Sequence, residues 1–186
     1  MQLEKALRGE LIRLQDSAGL SAPRDVRGIA ALFGDLGTRK GRSTATDALA
    51  REAGVSRRQA QRYLTTAKQQ RQPSGKALDK LLRAGERVTR SRFGRQLARR
   101  GLRVNFAGKM IVSPGSKRWG NDEREKSTSA PVEIPGDELA GLIAAFEGHH
   151  WDEVADEFNE VFPDAWGIGP AVIITDVDEL DLELGR

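Results

Sequence analysis

Apolar residues recur at helical spacing through the first hundred positions and change to alternation afterwards. Leu3, Ala6, Leu7, Leu11, Ile12 and Leu14 fall near one face of a helix within residues 1–20. The run "SAP" breaks it, and Val26, Ile29, Ala30, Phe33 and Leu36 predict a second amphipathic helix. The stretch "GDLGTRKGRS" then reads as a basic, glycine-bearing loop, and Thr44 or Thr46 stands where it can cap a helix carrying Ala48, Leu49, Ala50 and Ala53. Gly54 ends that helix, Val55 is apolar, and Ser56 has N-cap chemistry for a helix over residues 57–70 that buries Ala60, Tyr63 and Leu64. After "QRQPSG" a longer helix is predicted over residues 76–100. It turns Leu78, Leu81, Leu82, Val88, Phe93 and Leu97 inward, and Gly101 stops it.

Beyond Gly101 the period shortens. "LRVNFAGKMIVS" alternates about "AG" as a β-hairpin does, and the polar stretch "PGSKRWGNDEREKSTSA" separates it from a short strand "PVEI". Two helices fit residues 137–146 and 151–162, and "PAVIITDVDELDLEL" reads as one or two closing strands. The expected fold class is therefore α+β. It comprises a helical domain over residues 1–72 with a helix-turn-helix at 46–66, a basic connecting helix at 73–101, and a small acidic α+β domain at 102–186.

Charge sharpens this division. The whole chain carries a formal +3, but from Thr38 to Arg103 there are 19 Lys and Arg against 4 Asp and Glu, whereas from Val132 to Arg186 there is 1 Arg against 15 acids. A basic block of this density favours a polyphosphate partner through counterion release, and the acidic part cannot add to that attraction. The chain has no Cys, which excludes disulfides, thiolate metal sites and Cys nucleophiles. Its two His are adjacent, at His149 and His150, so they do not share a helix face, and neither a metal nor a cofactor is expected. No apolar run approaches the ~20 residues of a membrane span, and the charged N-terminal helix is no signal peptide, so a cytoplasmic, nucleoid-associated protein is expected.

In helix-turn-helix units a small residue in the first helix lets the second cross steeply, a Gly takes the left-handed turn position, and an apolar residue follows. Ala50, Gly54 and Val55 stand at those offsets. The outer face of the second helix then carries Arg57, Arg58, Gln59, Gln61, Arg62, Thr65 and Lys68. Arg can bond guanine and Gln adenine in the major groove, while Lys and Thr suit phosphates. A helical hairpin with a solvated charged surface shares this pattern. The basic surplus that continues along the next helix, at Arg87, Arg90, Arg95 and Arg99, favours DNA and offers a second surface for phosphates. Aromatic residues are scarce in the basic block, so stacking on a single strand is less supported than duplex binding. The acids after residue 132, including Asp176, Asp178, Asp181 and Glu183, lack calcium-loop spacing and read as a solvated or partner-facing surface; no self-contained active site is evident.

The order of these parts carries a resemblance. A basic unit ending in "SRRQAQRYL", a long Arg-rich helix, the strand "GLRV", a segment "SPGS" with "ND" soon after, two amphipathic helices and a closing "DVDELDLEL" together resemble the telomere-protecting terminal proteins of linear actinobacterial (Streptomyces-type) chromosomes and plasmids. The resemblance spans roughly Thr44 to Leu184. It implies a protein that caps 5′ ends of linear DNA and primes their filling-in, a side-chain hydroxyl accepting the first nucleotide from a DNA polymerase. The implied partners are telomeric DNA ends, as duplex and at the 3′ overhang, a telomere-associated recruiting protein, and the polymerase; a homodimer is compatible with it. The priming residue of that family is a Thr within the segment matching "VSPGSKRWGNDEREK", which here holds no Thr. Ser116 matches best, with Ser113 close by, and either is also an ordinary turn residue. The alternative from another class is a helix-turn-helix transcriptional regulator whose C-terminal domain dimerises or senses a ligand.

Overall fold

The computed structural model describes residues 1–34, 38–68, 73, 75–112, 123–169 and 172–186; for 66–68 and 112 it describes the backbone. The elements are α1 (Leu3–Ser17), α2 (Val26–Phe33), α3 (Arg39–Ala53), α4 (Arg57–Lys68), α5 (Gly75–Arg100), β1 (Leu102–Val112), β2 (Glu123–Ser127), β3 (Val132–Ile134), α6 (Ala140–Gly148), α7 (Trp151–Ala165) and β4 (Val172–Leu184). Helices combine with one antiparallel sheet, an α+β chain. It divides into two compact units, Leu20–Ser91 on one side and Met1–Gly19 with Arg92–Arg186 on the other. The limits expected at residues 72 and 101 do not coincide with this division. The first helix belongs with the sheet, and α5 gives its first part to one unit and its last to the other.

In the sheet unit β1 is the central strand. Its whole length pairs with β4, and its other edge pairs with β3 near Val104 and with β2 near Lys109. Leu102, Val104, Phe106 and Met110 are buried, as alternation requires, beneath a helical layer that contributes Phe93, Phe146, Phe158 and Phe162. Phe158 and Phe162 stack at 5.0 Å, and Phe93 meets Phe146 edge-on at 5.5 Å. On the opposite face Arg103 reaches Glu183 at 3.0 Å and Glu133 at 3.5 Å, a cross-strand charge pairing.

The apolar stripe of α1, Leu3, Leu7, Leu11 and Leu14, is buried in this same unit. Its polar side closes the outer edge of β4: Arg13 donates to the Leu182 carbonyl at 2.9 Å, and the Val177 N–H donates to the Met1 carbonyl at 2.9 Å. An edge strand exposes unpaired backbone groups, and these contacts satisfy some of them. The Met1 ammonium and then the Val177 N–H bond the Asp176 carboxylate and hold its pKa below the usual carboxylate value.

Three local expectations are corrected. The "AG" of β1 is no turn, because Ala107 and Gly108 continue an unbroken strand with a register shift between them opposite β4. A Cβ on Gly108 would lie 2.3 Å from the Asp176 carbonyl oxygen, so the glycine serves close strand approach at a bulge. "EREKS", read as part of a polar connection, is the edge strand β2; all five residues are exposed, so no apolar alternation marks it. The segment "TRKGRS" is helical rather than a loop, since Thr38 caps α3 by accepting from the Gly41 N–H at 3.0 Å. Thr46 is buried and donates to the Arg42 carbonyl at 2.7 Å, and Thr44 donates to that of Lys40, so neither is the cap.

Candidate nucleic-acid interface

The helical unit packs α2, α3, α4 and the first part of α5 around Ile29, Phe33, Ala45, Leu49, Ala53, Ala60, Leu64 and Leu81. Small residues at Ala45, Ala53, Ala60 and Ala84 let the helix axes approach. The close approach extends to Gly85, where a Cβ would stand 2.4 Å from the Pro23 ring.

The α3–α4 junction is fixed by backbone chemistry. Gly54 adopts φ 57° and ψ 44°, its N–H bonds the Arg51 carbonyl, and the Val55 N–H bonds that of Ala50 at 3.0 Å. These are the two bonds of a Schellman ending, which a left-handed glycine permits without steric cost. One residue later Ser56 accepts from the Gln59 N–H at 3.2 Å while the Gln59 side chain accepts from the Ser56 N–H at 3.0 Å, a reciprocal capping box. Two cations of α5 cap the other side of the turn, Lys80 donating to the Gly54 carbonyl at 3.1 Å and Arg87 to that of Glu52.

With Ala60 and Leu64 inward, α4 presents Arg57, Arg58, Gln59, Gln61, Arg62 and Thr65 on its exposed side; the Lys68 side chain lies outside the described residues. Arg57, Arg58, Gln61 and Thr65 line an open groove of about 810 Å³ whose other wall, Arg39, Arg42, Ser43 and Thr46, comes from α3. Reading "TRKGRS" as a loop hid that wall, although the Thr38 cap signal was present. The structure gives Gln59 a capping role and Arg87 a helix-ending role. Arg87 also borders a smaller basic pocket with Lys76, Lys80 and Arg83. Arg90 is half-buried in this unit, whereas Arg95 and Arg99 are exposed in the sheet unit.

Charge follows the same boundary: Leu20–Ser91 holds 16 Lys and Arg against 6 Asp and Glu, and the remainder of the chain 14 against 21. Asp152, Glu153, Asp156 and Glu160 form an exposed acidic side of α7. His149 takes the left-handed position that ends α6, and His150 Nδ1 lies 3.1 Å from Glu153. Among the described residues no group of three or more His, Asp or Glu is placed to hold a metal ion, and no helix is long and apolar enough to cross a membrane. Ser113 and Ser116 lie outside the described residues. No family model matches the chain, and neither a curated protein nor a solved structure matches it.

Proposed function

We propose that the α3–α4 pair is a helix-turn-helix that grips duplex DNA, and that the protein is a terminal protein capping and priming the ends of linear replicons. The observation that carries the first half is the groove in which Arg39, Arg42, Arg57 and Arg58 converge with Gln61 and Thr65. A cationic cleft bearing amide and hydroxyl groups matches phosphates along the backbone and acceptors on base edges. The left-handed Gly54 and the capping box support the turn that sets α4 against α3.

The second half rests on the resemblance across the order of parts. The hydroxyl of Ser116, or of Ser113, attacks the α-phosphate of the first nucleotide; a phosphodiester forms and pyrophosphate leaves. The polymerase supplies the metal and base for that step. The acidic side of α7 is suited to a basic protein surface and unsuited to DNA.

The test uses DNA from the native host with and without protease treatment. Terminal fragments should enter an agarose gel only after proteolysis, and nuclease-treated protein should carry a nucleotide adduct on Ser116. Migration indifferent to protease, together with symmetric binding to palindromic duplex, would point to the transcriptional regulator instead.

A further inference from the structure

We propose that Arg57 reads one guanine in the major groove and that Asp47 and Ser43 are its positioning residues; the inference rests on the duplex-DNA reading above. Arg57 opens α4, while Ser43 and Asp47 sit four residues apart on α3 and so share a helix face. The Arg57 Nε forms an ion pair with Asp47 Oδ1 at 2.8 Å, and Nη2 donates to Ser43 Oγ at 3.0 Å. Among the described residues these are the two partners of the guanidinium.

A guanidinium has five N–H donors in a planar fork. Nε and Nη2 lie along one edge of that plane, and Asp47 and Ser43 lie against those two nitrogens. Neither partner is placed against Nη1, so the terminal edge, Nη1 with the remaining N–H of Nη2, is assigned to the base. Guanine offers two adjacent acceptors, N7 and O6, to such a pair, whereas adenine sets a donor beside its N7 and cytosine offers a donor.

A phosphate could also accept, and Asp47 decides between them. A carboxylate at 2.8 Å offsets the positive charge that a phosphate contact uses, yet it fixes the orientation that a bidentate base contact needs. Arg39 and Arg58, exposed on the same groove, supply charge for the backbone. The pair is itself exposed, 64% for Arg57 and 58% for Asp47, so it contributes little to folding and its consequence is orientation.

The full-length protein and its variants are presented with duplexes containing a randomised window, and the bound fraction is sequenced. Wild type should enrich a motif with guanine at a position where Arg57→Ala loses roughly 5- to 150-fold preference and leaves the other positions intact. Arg57→Lys, which keeps the charge and loses the fork, should lose the same preference while retaining the salt dependence of wild type. Asp47→Asn should weaken that one preference and strengthen binding to duplexes lacking the motif. Replacing that guanine by 7-deazaguanine should bring wild type towards the Arg57→Ala level. An Arg57→Ala motif unchanged from wild type, or a uniform loss on all duplexes that Arg57→Lys restores, would overturn the base-reading role and leave duplex binding standing. Wild type binding no duplex would remove the duplex reading and this inference with it.

Discussion

Ser56 and Gln59 cap each other across the first turn of α4, each accepting from the other's backbone N–H at 3.2 and 3.0 Å. The exchange gives Gln59 a structural role on the exposed side of α4, beside the groove-lining Arg57, Arg58 and Gln61, and the two roles separate by mutation. Ser56→Ala should lower stability by about 1 kcal/mol in chemical denaturation. Gln59→Glu keeps the capping acceptor and adds a negative charge beside Arg58; it should leave the melting temperature near wild type while weakening duplex binding. A melting temperature that falls as far as in Ser56→Ala would show that the amide itself is required.

Gly85 lies inside α5, where Ala would ordinarily be favoured by about 1 kcal/mol. The Pro23 ring occupies the position of a Cβ at 2.4 Å, so Gly85→Ala should instead destabilise the helical unit by about 1–3 kcal/mol through overpacking. A gain in stability would mean that Pro23 moves aside.

The division at Gly19 assigns α1 to the sheet unit. Leu7→Ala, at a fully buried position, should destabilise the protein by about 2–5 kcal/mol. Hydrogen exchange should accelerate along β1 and β4 and leave α3 and α4 protected. Equal acceleration in α3 and α4 would contradict the assignment.

Periodicity made most helices legible because each buries a single apolar stripe, as Leu3, Leu7, Leu11 and Leu14 do in α1. It did not reveal which body that stripe covers, since the contacts of α1 with β4 join residues far apart in the chain. Glycine misled twice. Gly41 lies within the first turn of α3, where its N–H donates to the Thr38 cap, and Gly108 lies within a bulged strand that β4 approaches closely; in each place these interactions outweigh the loss of backbone entropy. The edge strand β2 escaped notice because its pairing buries no side chain. The exposed polar face of α4 was visible in its spacing, but the groove's opposite wall depended on where α3 begins.

The Asp176 carboxyl titrates below its ordinary value because its ionised form is bonded by the Met1 ammonium and the Val177 N–H. A depressed carboxylate stabilises the fold fully above its unfolded pKa, about 3.9, and loses that contribution as pH falls through the folded value. Asp176→Asn should therefore be less stable than wild type at neutral pH, and the difference should close in strong acid. A constant difference across that range would show that ionisation is not its source.

The basic groove of the helical unit is tested most directly by fluorescence anisotropy of a labelled duplex between about 50 and 200 mM salt, comparing wild type with the Arg39→Ala and Arg58→Ala double variant. Wild-type log K should fall linearly with log salt, and the double variant should bind more weakly with a slope shallower by roughly 2, one released counterion for each lost phosphate contact. Equal affinity and equal slope in the two proteins would contradict a DNA-gripping role for the groove.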